Sequence, residues 1–331
     1  MSTMIKVGIA PSLETPLPEM IRHAKMAEET GLDSVWYADH PSEGRDIAIA
    51  LASMASSTSR MRIGPNVVNP YTRSPVLLAS LIASLDELSG GRAIMGIGSG
   101  NPERLARLGV NQTKPLRYVE DSVHIIRTLL SGETFDYKSD FFSLQGASLG
   151  FEAYRKGIPI YLAGIKDKML KLAGRIGDGA LFSAGMSPSY VRRAANLVQD
   201  TRRQAKLRMS FEICATVQMA ISMDPSHARS LAAPHVARAL AREGRGELML
   251  KSIDSPIAIL PALRTKVKYE GTEAAGRSLS EELVKSFCPF GTPDEVSQSL
   301  NRYREAGANL LIVSIISGSD LEMAFDVLRH L

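Results

Sequence analysis

DSVWYADH at residues 33–40, RIGPNVVNPYTRSP at 62–75 and GGRAIMGIGSGN at 90–101 decide the fold of this chain. Each begins as an apolar, β-rich run and ends in polar or glycine residues. The first run leads to Asp39 and His40, the second to Asn66–Asn69, and the third to a turn at Gly96–Gly100. Helical patterns at 47–57 and 75–88 separate them, the second entered through Pro75, which suits a first helical turn. Reactive groups at the C-terminal ends of successive parallel strands are the layout of a (β/α)₈ barrel active site.

The same rhythm extends outward. Residues 5–10 read as a strand, and 17–30 as a helix with Met20, Ile21, Ala24 and Ala27 on one face, closed by Gly31. After a helix at 116–130 the cycle breaks: Ser131–Gly157, rich in aromatic and glycine residues, reads as an excursion of short strands or loop. It resumes with a strand at 158–163, a helix at 166–176, a strand at 180–183, a helix at 190–206 and a long strand at 211–222. Ala228–Ala275 is too long for a crossover and reads as a helical insertion near the active-site mouth. Segments 280–284, 293–306 and 309–314 return to barrel logic, with a last helix from Asp320. Eight strands alternating with at least eight helices, without a linker, predict one domain over 1–331. Its fold class is α/β, a (β/α)₈ TIM barrel with insertions near 131–157 and 228–275.

Composition narrows the function classes. The 331 residues are 44% hydrophobic and 22% charged, ordinary for a globular enzyme. The formal charge is +4 and basic residues are spread along the chain, which argues against a nucleic-acid partner. No apolar run reaches the ~18 residues of a membrane span, so no membrane partner is expected. MSTMIKVGIA lacks the pattern of a signal peptide. The two cysteines, Cys214 and Cys288, and the histidines show no metal spacing, so the expectation is a metal-free cytoplasmic protein.

Four groups of residues suit chemistry. His40 titrates near neutrality and can move a proton, with Asp39 as a polar anchor; the plainer reading makes Asp39 a helix cap. Asn66, Val67 and Asn69, between Pro65 and Pro70, suit a bulge against a flat ligand or an ordinary strand end. Gly96-Ile97-Gly98-Ser99-Gly100 does not complete a dinucleotide fingerprint, because Asn101 occupies the sixth position; it suits close backbone approach to a ring or phosphate. Ala163-Gly164-Ile165-Lys166-Asp167-Lys168-Met169 opens a helix and suits a phosphate, or simply carries two solvated lysines. Arg175 and Asp178 read as structural, and Trp36 as barrel packing.

Taken together, VGIAP, SVWYADH, RIGPNVVNPY, SPVLLAS, ELSGGRAIMGIGSG, PIYLAG and AGRIGDG resemble the bacterial luciferase-like superfamily in its coenzyme F420-dependent branch. They are most similar to 5,10-methylenetetrahydromethanopterin reductases, with F420-dependent glucose-6-phosphate dehydrogenases further off. The resemblance implies a flavin- or deazaflavin-binding barrel, a homodimer or higher homo-oligomer, that passes hydride between F420 and a small organic molecule. It places Asp39, Asn66, Val67, Asn69, Ser99 and Gly100 against the deazaflavin, with a cis peptide at Asn66-Val67. Ile165, Lys166, Lys168 and Met169, beside Gly164, fall at the phosphate-bearing tail, and His40 at a proton-transfer position. Two positions depart. Asn101 stands where the sugar-phosphate dehydrogenases carry glutamate, and Ala10 where the pterin reductases do. An FMN-dependent monooxygenase and a non-catalytic flavin-binding barrel are the alternatives.

Overall fold

A computed structural model describes residues 5–331; the first four residues of the stretch read as lacking a signal peptide lie outside the described residues. The strands are β1 (Lys6–Ile9), β2 (Ser34–Tyr37), β3 (Arg62–Pro65), β4 (Met95–Gly98), β5 (Phe135–Lys138), β6 (Ser143–Ala147), β7 (Ile160–Ala163), β8 (Gly179–Phe182), β9 (Glu212–Ile221), β10 (Phe290–Gly291) and β11 (Leu310–Ile315). Eight run side by side in the order β3-β2-β1-β11-β9-β8-β7-β4, and every pair in that row is parallel. Isolated parallel bridges from Ile63 to Ala93 and from Val68 to Ile97 join the two ends of the row and close the barrel. These eight strands are the eight apolar runs read from the sequence.

The helices form where apolar spacing and end signals agree. Leu17–Thr30 buries Met20, Ala24 and Ala27, one stripe at helical spacing, and stops at Gly31 with φ 86°. Pro75–Leu88 starts at Ser74, whose hydroxyl accepts the Leu77 amide, with Pro75 at the first helical position. Segment 280–284 is helical: Ser280 caps Glu281–Lys285, and two glutamates in its first turn suit the positive helix end. The strand that precedes the helix Pro293–Glu305 is β10, paired only with the far end of β9.

Inside the barrel, Trp36, Ile94, Tyr161, Leu181, Cys214, Leu310 and Ile312 pack as one cluster, as a filled barrel core requires. Trp36 is fully buried there and donates to Ser34 Oγ at 2.8 Å. Polar side chains seal the N-terminal end. Arg62 pairs with Asp33 at 2.5 Å and Glu212 at 3.0 Å, Glu212 accepts from Tyr161 at 2.7 Å, and Lys6 also binds Glu212. Those charges satisfy one another, which leaves the opposite mouth for a ligand. Asp178 is structural as expected, accepting the Ile160 amide at 2.9 Å and Arg127 at 2.8 Å.

Two insertions border the C-terminal mouth. Within Ser131–Gly157, β5 and β6 form an antiparallel hairpin. In its turn, Phe141 and Phe142 lie 5.0 and 4.8 Å from Tyr118, which stacks on Tyr71 at 4.1 Å. The second insertion holds the helices Pro225–Ala241, Arg245–Lys251 and Leu260–Arg277. It is tied to the barrel by Gln218–His235 at 3.3 Å and by Arg245, which donates to the Ala184 carbonyl. Gln218 lies in β9 and Ala184 just beyond β8, so these helices stand near the strand ends.

Candidate active site

Asp39 and His40 follow β2 directly. The Asp39 side chain is 3% exposed and its Oδ2 has no hydrogen-bond partner. Arg73 comes no nearer than 3.9 Å and places its guanidinium on Asp46 at 2.6 Å. Burial raises the Asp39 carboxyl above its usual range, opposed by Arg73 and reinforced by Asp46. The helix-cap role belongs to Asp46, which accepts from the Ala48 and Ile49 amides. Asp39 is therefore a buried acceptor held open at the rim.

His40 meets Arg104, whose Nη1 lies 2.7 Å from Nε2 and 3.0 Å from Nδ1. Burial and the Arg104 charge lower its pKa to about 4, Glu43 opposes, and Arg242 lowers it further. His40 is thus neutral at pH 7, a proton acceptor rather than a resident acid. The sequence reading missed Arg104 because it missed the helix Pro102–Arg107. The signal was Asn101-Pro102, a capping residue followed by proline at the first helical position. Asn101 Oδ1 accepts the Arg104 amide at 3.1 Å, so its side chain is spent on the helix that delivers Arg104.

The neutral imidazole has a thermodynamic consequence. The unfolded chain binds a proton near pH 6.5, whereas the folded one resists until about pH 4. Folding stability on this account is complete above pH 6.5 and is lost as pH falls toward 4. Burial lowers His23 and His235 in the same sense. Urea unfolding at pH 7.5 and 4.5 is expected to show about 2–3 kcal/mol less acid loss in His40→Gln than in the parent. Equal losses in the two proteins would contradict it.

The Asn66-Val67 peptide is cis, as the resemblance implies. Asn66 donates through Nδ2 to Thr216 Oγ1 at 3.0 Å, pinning the bulge across the barrel to β9. Ladder bonds resume at once, Val68 N to Gly96 O and Gly98 N to Val68 O, both 3.0 Å. Asn69 is buried, and its Oδ1 accepts the Tyr71 and Thr72 amides at 3.1 Å. The glycine run divides into two roles. A Cβ at Gly96 would collide with the Pro65 carbonyl, and one at Gly98 would crowd Val67 and Ala163. Those two glycines serve strand packing around the bulge, not ligand approach. Gly100 differs: it is exposed on the rim with φ 73°, beside Asn69. The Ser99 and Gly100 carbonyls both accept from Gln112 Nε2, at 2.6 and 3.3 Å.

The turn after β7 opens the helix Asp167–Ile176. Met169 folds over Gly164 so closely that any side chain at 164 would strike it. The Ile165 carbonyl accepts from Tyr190 at 2.7 Å. Lys166 and Lys168 are exposed and have no acidic partner among the described residues, while Asp167 pairs with Arg193 at 2.5 Å. The open amides of a helix start, two free lysines and a fixed turn fit an anionic group. Ala10 closes β1 on the same rim, its amide bonded to the Val313 carbonyl at 2.8 Å, and brings no carboxyl. No cluster of three or more His, Cys, Asp or Glu that could hold a metal occurs among the described residues.

The family model described as luciferase-like monooxygenase matches residues 1–310. The chain belongs to the luciferase-like monooxygenase family. Within reach of this luciferase-like sequence is the 5,10-methylenetetrahydromethanopterin reductase of Archaeoglobus fulgidus, 31% identical over 98% of this chain and 97% of the relative. The F420-dependent glucose-6-phosphate dehydrogenase of Amycolatopsis mediterranei is 27% identical over 93% of this chain and 92% of its own length. The solved coenzyme F420-dependent tetrahydromethanopterin reductase of Methanopyrus kandleri superimposes with a TM-score of 0.88, covering 99% of this chain and 98% of that one at 23% identity. The structural match thus extends over nearly the whole of both chains.

Proposed function

We propose that this protein is an F420-dependent oxidoreductase that passes hydride between the deazaflavin and a small organic molecule. The observation that carries the reading is the buried, unpartnered Asp39 Oδ2 at the mouth of a luciferase-like barrel. A buried acceptor without a donor is costly, and a polar ring edge would satisfy it. Relatives that share nearly the full length are named as F420-dependent dehydrogenases or as reductases of the same group. On this reading Asp39, Asn66, Val67, Asn69, Ser99 and Gly100 hold the ring. Gly164, Ile165, Lys166, Lys168 and Met169 hold the phosphate-bearing tail. When bound, F420 supplies or takes up the hydride.

The chain's own part is orientation and one proton. With alanine at 10 and a capping asparagine at 101, neither position offers an acid. His40 is neutral and lies against Arg104, which also binds Glu43 at 2.7 Å. When Arg104 turns fully to Glu43, His40 Nε2 is free to take the proton of a substrate hydroxyl or amine as the adjoining carbon gives up hydride. That assignment favours substrate oxidation over reduction of a methylene pterin.

We further take the 331 residues as one barrel domain that works as a cytoplasmic homodimer. Ile49, Leu77 and Leu88, each more than half exposed on the adjacent helices Ile47–Ser57 and Pro75–Leu88, support a covered apolar face. No helix among the described residues is long and apolar enough to cross a membrane.

Fluorescence titration tests the cofactor. F420 is expected to bind saturably, and Asp39→Ala to weaken it about tenfold, the value of one charge-assisted hydrogen bond. Absence of F420 binding, with oxygen uptake on reduced FMN, would overturn the reading.

A further inference from the structure

Three arginines gather above the barrel mouth from two distant parts of the chain. Arg104 stands on the short helix after β4; Arg242 and Arg245 belong to the inserted helices beyond β9. Arg245 donates to the Ala184 carbonyl, while its Nε is shielded from solvent and has no partner. Its Nη2 lies 3.5 Å from where a side chain at Gly185 would begin, so the absent side chain leaves room beside it. Arg242 is half-buried, and its side chain has no hydrogen bond or ion pair to any described residue. The nearby acids do not balance the three: Glu43 is shared by Arg104 and Arg107, and Glu103 faces Arg242 only at a distance. Burial first, and then the neighbouring arginine charges, weaken the hold of Arg242 and Arg245 on their protons, Arg245 down to about 10. Desolvated like charges without counter-charges destabilise a fold unless an anion joins them.

We propose that Arg242, Arg245 and Arg104 form a site for an anionic group of the substrate, a carboxylate or a phosphate, held beside His40. The assignment to the substrate rests on the oxidoreductase reading; the anion site itself does not. Guanidinium groups suit such oxyanions because their paired N–H donors match two oxygens at once. Arg104 ties the site to the chemistry. An anion that draws it off the imidazole frees Nε2, so the base is exposed when a charged substrate is seated.

Inorganic phosphate is the probe, titrated against the purified full chain at constant ionic strength, with chloride as the reference salt. Binding is followed by melting temperature and by the NMR titration of the His40 ring. Saturable millimolar binding is expected in the parent, and about tenfold weaker binding or worse in Arg242→Gln and in Arg242→Gln/Arg245→Gln. Arg192→Gln, exposed and outside the cluster, is expected to bind as the parent does. Bound phosphate is expected to move the His40 midpoint back toward its ordinary value in the parent and not in Arg242→Gln. The Arg242 side chain has no hydrogen bond to lose, so that variant keeps the test valid if the double variant unfolds. The titration is repeated on protein saturated with F420 and with the same deazaflavin lacking its tail. Phosphate still bound beside F420 supports a substrate site. Phosphate excluded by F420 but not by the tail-less ring assigns the arginines to the cofactor and overturns the proposal. No saturable binding in any form also overturns it, whereas phosphate binding without F420 binding removes the cofactor reading and leaves the anion site standing.

Discussion

His40→Ala is expected to lower turnover by about 10²–10⁴-fold, the usual worth of a positioned proton-transfer group, while F420 affinity changes little. The separation follows from the geometry. Asp39 and the Asn66–Asn69 bulge lie in the stretch assigned to the ring, whereas His40 faces Arg104 and the inserted helices. Loss of the imidazole therefore removes a transition-state interaction and spares ground-state cofactor binding. The pH profile sharpens the test. A base with a pKa of about 4 is ready across neutrality, so the parent's rate of substrate oxidation is expected to stay flat from mild acid to pH 8. It falls only as His40 gains a proton below about pH 5. Arg104→Gln removes the neighbouring charge, so the acid limb moves up, while burial, the larger cause, still holds it below the ordinary histidine range. A His40→Ala enzyme with parental turnover would exclude His40 from the chemistry, as a non-catalytic barrel also would.

The barrel was legible because its strands are short, apolar and closed off by glycine, proline or asparagine. Such runs are fully buried in β2 and β4, where periodicity gives no orientation but length and flanking residues do. The inserted helices were legible only as an insertion. Pro234 lies inside one helix and Gly271 kinks another, so neither carries a clean amphipathic stripe. Asp39, His40 and the Asn66-Val67 bulge were found because they sit at strand ends in local sequence. Arg104, Arg242 and Arg245 were not, because barrel closure and an insertion bring the first two to His40, across 64 residues in the case of Arg104, and Arg245 to those two. The helix Pro102–Arg107 spans six residues, too few for a period to register. The Gly96–Gly100 run was read as one backbone approach to a ligand. Its first two glycines face a neighbouring strand, a distinction that depends on which strand closes the barrel.

That closure carries the second large expectation. Gly64→Ala is expected to destabilise the fold by about 4 kcal/mol or more, beyond the range of ordinary surface or packing changes. A Cβ at 64 would fall far inside contact distance of the Ile94 carbonyl oxygen, which is backbone and cannot rotate aside. Ile94 sits on the seam where Ile63 O accepts the Ile94 amide at 2.9 Å and Ile63 N reaches the Arg92 carbonyl at 3.0 Å. Among the described residues, isolated bridges rather than a continuous ladder join β3 to β4, so relieving the clash opens a weakly tied junction. The site depends on the same junction, since the bulge at 66–67 leaves β3 directly after it and returns to β4 through Val68. Denaturant unfolding of Gly64→Ala is therefore expected to show a large fall in midpoint. F420 titration of the fraction that remains folded is expected to show weakened binding, although residue 64 is not among the residues assigned to the ring. Gly109→Ala offers the contrast: its φ of 72° strains alanine, but its Cβ meets nothing within 4 Å, and it lies outside the seam. Its cost stays near 1 kcal/mol, with cofactor affinity retained. Equal stability and equal affinity in the two variants would show that the β3–β4 seam does not position the site.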